Sequence, residues 1–321
     1  MPPTFSVVIP TYNHVNYLRE SLKSVMDQTF TDFEVIVVNN FSTDTTLDVV
    51  REVGGDRVQV VNYQNHGVIG AARNAGITVS EGTYVAFLDS DDSWYPNKLE
   101  RVSEAIQSNP QVGLFCHNQD WFRENEPAIQ SHFGPPPEYS GDMFEHLMLE
   151  YNGPSTSATV VARKYLDEVG LFSEDPGYIT VEDYDLWLKL SQVCSFRFID
   201  EVLGSVEFHA ESAADNIELH FKNGLTLIDK HSPELRNPSR SCPDSAIRRL
   251  YARSFYTAAR KYQRKGAYTK PLNYYLRTIK AYPLYSKAYA GLALLAADRL
   301  IGHGVRKRLA GSLLGPSWRW G

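Results

Sequence analysis

Short apolar runs alternate with amphipathic stretches through the first part of this chain. Phe5 to Pro10, Phe33 to Val38, Val58 to Val61 and Tyr84 to Leu88 are apolar enough to be strands. Between them, Tyr17 to Gln28 carries Leu18, Leu22, Val25 and Met26 on one helical face. Thr45 to Val53 keeps the helical period, and Gly70 to Val79 is rich in Ala. Strands alternating with helices at this spacing predict an α/β domain with a mostly parallel, doubly wound sheet. Farther along, Pro96 to Ser108 reads as a helix, and Val112 to Cys116 and Ser157 to Ala162 as strands. Glu182 to Val193 is a helix with Leu186, Leu190 and Val193 on one face, and Val202 to Phe208 is a strand. Pro127 and Pro135-Pro136-Pro137 break the pattern between 124 and 141, which suits a lid or an acceptor edge. From Ser245 onward the pattern is helical.

Open sheets of this kind bind ligands outside the carboxyl ends of their strands. The loops to watch are therefore Thr11 to His14, Asn39 to Asp44, Asn65 to Gly70 and Asp89 to Asp92. In the last of these, the strand ending at Leu88 runs into Asp89-Ser90-Asp91-Asp92. Two carboxylates one residue apart repel each other unless a cation lies between them. Hard oxygen ligands suit Mg²⁺ or Mn²⁺, which commonly arrive with a substrate's phosphates. The same residues also make an ordinary acidic turn, so the pattern alone leaves both readings open. Glu182 and Asp183 fall in the first turn of a helix, where the dipole favours carboxylates whatever their function.

A length of 321 residues with 43% hydrophobic positions supports a large core and a second, smaller module. Cys116, Cys194 and Cys242 show no metal or redox spacing and fit a reducing compartment. The first residues lack a basic and apolar leader, and the longest apolar run, Ala288 to Ala297, is too short for a bilayer. A soluble, cytoplasmic protein is expected. The net charge of −6 conceals a division. Residues 1–239 carry 15 Lys and Arg against 36 acids, whereas 240–321 carry 17 against two. The sequence therefore predicts a catalytic domain over 1–239 and a basic helical extension over 240–321.

Five segments in order carry a resemblance to glycosyltransferase family 2, over roughly residues 4 to 212. They are Ser6 to Asn13, Val35 to Asp44, Asn65-His66-Gly67 through Ala72-Arg73-Asn74-Ala75-Gly76, Asp89-Ser90-Asp91, and Val181-Glu182-Asp183-Tyr184-Asp185-Leu186-Trp187. The resemblance implies a GT-A fold and a metal-dependent, inverting transfer of sugar from a nucleotide donor, UDP-linked in the usual case. It implies that Pro10, Thr11, Tyr12, Asn40, Arg73, Asp89 and Ser90 contact the donor. Asp91 and Asp89, with His209, would hold Mn²⁺ or Mg²⁺. Asp183, with Glu182 beside it, would be the catalytic base. Asn39-Asn40 departs from the family's usual acidic residue, although an amide can both accept from and donate to a pyrimidine. Arg73 alone would also suit a surface ion pair. Trp94, just beyond the acidic cluster, suits either the core or a stacked acceptor sugar.

Phe255, Ala259, Tyr262, Gly266, Tyr275 and Pro283 loosely resemble tetratricopeptide repeat helices, with Pro271 where that repeat prefers Ala. A basic, aromatic-rich module suits an anionic membrane surface at the inner face of the plasma membrane, and equally suits neutralising the acidic domain. No nucleic-acid motif is present. The partners implied by the resemblance are a nucleotide sugar and a glycan or lipid-linked acceptor, as in cell-envelope polysaccharide synthesis. Two rival readings are a sugar nucleotidyltransferase, whose Gly-rich basic loop Pro10-Thr11-Tyr12-Asn13 is not, and a degenerate transferase acting as a scaffold.

Overall fold

A computed structural model describes residues 2–122, 128–135, 139–150, 153–207, 216–240 and 242–301. It divides into two compact units, Met1–Asp215 and Asn216–Gly321. In the first unit, β1 (Phe5–Thr11) is flanked by β2 (Phe33–Asn39) and β4 (Tyr84–Phe87), both parallel to it. Every residue of β1 is buried, because layers cover both faces of this central strand. At the edge, β3 (Val58–Asn62) pairs with β2 and exposes Gln59, Val60 and Asn62.

Helix α1 (Val15–Met26) buries Leu18, Leu22 and Val25 and carries the chain from β1 to β2. Helix α2 (Thr46–Gly54) leads to β3, and α3 (Ile69–Val79) returns the chain to β4 on the other side of β1. The winding reverses at β1, which opens a crevice at the carboxyl ends of β1 and β4. Gly76 makes this return possible: a Cβ there would sit 2.5 Å from Val8 Cγ1, so only glycine lets α3 lie this close to the sheet.

Beyond β4 the sheet turns antiparallel. β8 (Thr159–Ala162) pairs with β4 and with β6 (Val112–Phe122). β9 (Ser195–Glu207) runs parallel to β6, and β5 (Asp92–Trp94) and β7 (Ile129–Ser131) add antiparallel edges. The full order is β3-β2-β1-β4-β8-β6-β9-β5, with β7 on β6. Helices α4 (Lys98–Ser108), α5 (Met143–Leu149), α6 (Arg163–Val169) and α7 (Glu182–Leu190) complete the unit.

The sequence pattern finds the elements of the parallel half within one or two residues. It misses β5, β7, α5 and α6, which are short and mostly take their form from neighbours. β6 and β9 extend well past their predicted limits because they pair along almost their whole length.

The second unit contains α8 (Ile217–His231), α9 (Asp244–Arg264), α10 (Thr269–Ala281) and α11 (Ser286–Ile301). Its core gathers Ile217, Ala258, Ala259, Tyr274, Tyr275, Ala288 and Leu295. Charge composition places the boundary at 239, but the division falls at Asp215 and Asn216. The reason is that α8, which lacks the basic excess of the tail, joins this core through Ile217. Pro271 is buried in the first turn of α10, where a missing N–H costs nothing. No helix among the described residues is long and apolar enough to cross a membrane.

Candidate active site

Three loops meet where β1, β2 and β3 end. Asn40 N–H donates to Thr11 O, and Asn13 N–H donates to Ser42 Oγ, each at 3.0 Å. Asn13 Oδ1 accepts from Thr43 N–H at 2.8 Å. Asn13, Phe41 and His66 adopt positive φ angles of 51°, 53° and 50°, a conformation that side chains other than glycine resist. These bends leave a cleft of about 330 Å³ lined by Tyr12, Asn40, Phe41, Gln64 and His66. Tyr12 and Phe41 are 52% and 57% exposed, flat rings held at the mouth of the cleft.

The Asn pair is oriented by the backbone. Ser42 N–H donates to Asn39 Oδ1 at 3.0 Å, and Asn39 Nδ2 donates to Asn62 Oδ1 at 2.7 Å, so the buried Asn39 serves the loop. Asn65 N–H donates to Asn40 Oδ1 at 3.0 Å. A backbone N–H can only donate, so this bond fixes which end of the Asn40 amide is oxygen. The Asn40 NH₂ is thereby the group left to act as donor.

The acidic turn lies across the crevice. Asp92 N–H donates to Asp89 O, closing a turn over 89–92 directly after β4. Ser157, in the turn just before β8, locks it: Asp89 N–H donates to Ser157 Oγ at 3.0 Å, and Ser157 Oγ donates to Asp92 Oδ2 at 2.5 Å. Burial, then the charges of Asp89 and Asp91, push the Asp92 carboxyl well above the usual carboxylate range. Ser90 is buried, with His14 Nδ1 2.9 Å from its Oγ.

Arg73 joins this turn to α7. Its Nη2 donates to Asp89 Oδ1 at 2.6 Å, and its Nη1 donates to Glu182 Oε1 at 2.8 Å. The guanidinium is 3% exposed and stacks over Phe172 at 5.3 Å. Burial opposes its charge, but Asp89 and Glu182 hold it firmly protonated. Gly70 lets α3 begin this close to the loop between α6 and α7, since a Cβ there would meet Ser173 O at 2.8 Å. Asn74, next to Arg73, clamps the same region: Phe172 N–H donates to its Oδ1, and its Nδ2 donates to Phe172 O.

Asp183 sits beside Glu182 in the first turn of α7 and is half-buried. Thr156 Oγ1 donates to its Oδ2 at 3.2 Å, and Tyr184 N–H to its Oδ1 at 2.6 Å. Burial and the charge of Glu182 push Asp183 up to about 7, against the pull of Arg73. A carboxyl raised in this way exchanges its proton closer to neutrality than an ordinary one does. Thr180, φ 72°, bends the chain into α7.

Of the residues singled out by sequence, Thr11, Tyr12, Asn40, Asp89, Ser90, Asp91, Glu182 and Asp183 gather at this crevice, with Pro10 inside β1 leading into it. Two candidates take different roles. Arg73 spends both Nη groups on two carboxylates, so here it braces the site. Trp94 is buried, its Nε1 donating to Ser157 O at 2.7 Å, so it is core and cannot stack on a sugar. His209 lies outside the described residues. Thr156 and Ser157 were missed; hydroxyls before a strand carry no signal in sequence.

A divalent cation fits the acidic turn by donor chemistry. Asp89 uses one oxygen for Arg73 and has Oδ2 to offer, and Asp91 is half-buried two residues away. Among the described residues no three His, Cys, Asp or Glu side chains form a ready cation cage. Two carboxylates suffice for Mg²⁺ or Mn²⁺ when phosphates and water supply the rest.

Residues 6–169 match the family model described as Glycosyl transferase family 2. An uncharacterized glycosyltransferase of Nostoc sp. is 35% identical over 177 residues, 53% of this chain and 54% of that protein. The chain thus spans about half the length of this curated relative, and less of some others. The UDP-Glc:alpha-D-GlcNAc-diphosphoundecaprenol beta-1,3-glucosyltransferase WfaP of Escherichia coli is 29% identical over 212 residues, covering 66% of this chain and 80% of that one. The crystal structure of S. aureus TarS 1-349 in complex with UDP-GlcNAc aligns with a TM-score of 0.64 and 19% identity. It covers 96% of this chain and 92% of that chain, a likeness of fold.

Proposed function

The chain belongs to glycosyl transferase family 2, and we propose that it is a metal-dependent, inverting enzyme using a UDP-linked sugar donor. The acceptor is a hydroxyl of a glycan or lipid-linked intermediate in cell-surface polysaccharide synthesis, reached from the cytoplasmic side. One observation carries the reading: a single buried guanidinium, Arg73, ties the acidic turn at Asp89 to the helix start that bears Asp183. The groups for leaving-group charge and for proton removal are thereby held in one crevice.

The exposed rings of Tyr12 and Phe41 would sandwich a pyrimidine in the cleft, with the Asn40 NH₂ donating to a ring carbonyl. The donor diphosphate would then extend toward the acidic turn. Asp91 and Asp89 would hold the cation, which when bound supplies Lewis-acid stabilisation to the departing diphosphate. Asp183, deprotonated, accepts the proton of the acceptor hydroxyl as that oxygen bonds to the anomeric carbon. The bond from that carbon to the diphosphate oxygen breaks on the opposite face, which inverts the configuration. Arg73 keeps Asp89 and Glu182 from repelling each other while this happens. The relatives support the donor and acceptor classes: one is named for UDP-Glc and a diphosphoundecaprenol acceptor, and a fold neighbour binds UDP-GlcNAc.

Release of nucleoside diphosphate from a panel of nucleotide sugars, with and without Mn²⁺, tests the proposal. UDP release that needs the metal is expected; none from any donor would favour the scaffold reading. Asp91→Asn should abolish metal-dependent donor binding. Asp183→Asn should keep donor binding while transfer falls by about 10²–10⁴-fold. Loss of both together would show that the base lies elsewhere.

A further inference from the structure

The last described helix of the second unit has two apolar faces, and among the described residues only one of them is packed. α11 buries Ala288, Gly291 and Leu295 against its neighbours; a Cβ on Gly291 would lie 2.4 Å from the Tyr275 ring of α10. On the other side, Tyr289, Ala293, Ala296 and Leu300 follow at i, i+4, i+7 and i+11 and share one face. All four are exposed, Tyr289 at 49% and Leu300 at 84%. Ser286, Ala290 and Ala297 border the stripe, and no charged residue interrupts it. The turn between α10 and α11 extends it: Leu284 is 80% exposed, and Tyr289 OH donates to Pro283 O at 2.9 Å, holding the ring beside that turn. Lys280 and Lys287, both exposed, flank the same turn.

We propose that this face docks the protein on an anionic lipid bilayer. Leu284, Tyr289 and Leu300 would enter the boundary between headgroups and acyl chains, and Lys280 beside the turn would meet lipid phosphates. Charge selects the occupant. Residues 216–301 carry 16 Lys and Arg against five Asp and Glu, a net of +11. A second copy pairing face to face would bring two such surfaces together, whereas anionic lipid neutralises one. A stripe this short, made largely of Ala, also holds weakly alone and depends on that attraction. The inference goes beyond the proposed reaction and does not depend on it, since vesicle binding requires neither donor nor metal.

Co-sedimentation of the full chain with vesicles tests it, using phosphatidylcholine alone or with about one third phosphatidylglycerol. Binding to the anionic vesicles is expected, about tenfold weaker on neutral ones and at high salt. The double change Leu284→Glu and Leu300→Glu should weaken it about tenfold or more, with the circular dichroism spectrum and UDP release unchanged. Lys280→Glu should weaken it too, by a few-fold. Three results would overturn the proposal. One is no sedimentation with anionic vesicles. Another is leucine variants that bind as well as the parent, which would leave only diffuse basic attraction. The third is a dimer in analytical ultracentrifugation that the leucine variants dissolve, which would assign the stripe to a second copy.

Discussion

The two sides of the candidate crevice are built on opposite terms. The cleft at Tyr12, Asn40, Phe41 and His66 is open, carries no carboxylate on its lining and is shaped by backbone bends. On the acidic side Arg73 pairs with both Asp89 and Glu182, much of it out of water, and Asp183 sits next to Glu182. In the cleft each side chain acts nearly alone, so a change there should alter which ligand binds and little else. On the acidic side every charge depends on the next, so one change should disturb fold, metal affinity and proton transfer together.

Removing the brace is the severest test of that contrast. Arg73→Met would leave Asp89 and Glu182 facing each other without a cation and should cost about 3–5 kcal/mol of stability. Thermal unfolding would read this as a large fall in Tm, and activity should vanish with it. Arg73→Lys should fall between, because one ammonium lacks the fork that reaches both carboxylates. A Met variant as stable as the parent would break the picture of a coupled centre.

The pH dependence of transfer comes next. Asp183 can accept a proton only when it is deprotonated, and its carboxyl is pushed up to about 7. The rate should therefore rise about tenfold per unit as pH climbs toward 7 and level off above it, while donor binding stays flat. A profile already flat from pH 5 upward would mean that Asp183 is not the base.

Asn40→Asp probes the open side. An acceptor would replace the NH₂ donor, favouring uracil N3–H over the cytosine ring nitrogen, and the ratio of UDP to CDP affinity should rise about two- to tenfold. Calorimetry with both nucleotides measures this, with Tm unchanged. An unaltered ratio would remove Asn40 from base recognition. Thr156→Val should do least: losing the hydrogen bond to Asp183 Oδ2 should move the pH profile upward by less than about one unit. Unchanged donor affinity in that variant would confirm that the hydroxyl acts through the base.

The sequence by itself determined the alternation of strand and helix, because central strands covered on both faces read as unbroken apolar runs and α1 shows its buried stripe at the helical period. It also placed Asp89 and Asp91 at a strand's carboxyl end and Asp183 in a helix's first turn, since those positions follow from local pattern alone. Only the tertiary structure decided what these groups touch. Arg73 suits a phosphate contact or a surface ion pair until α7, 109 residues away, brings Glu182 to its side. Trp94 suits core or ligand until Ser157 takes its N–H, and α8 looks like part of the first domain until Ile217 is buried with Ala258 and Tyr275. Periodicity records the face a residue presents to its own element; which charge or hydroxyl meets it there depends on how distant segments pack.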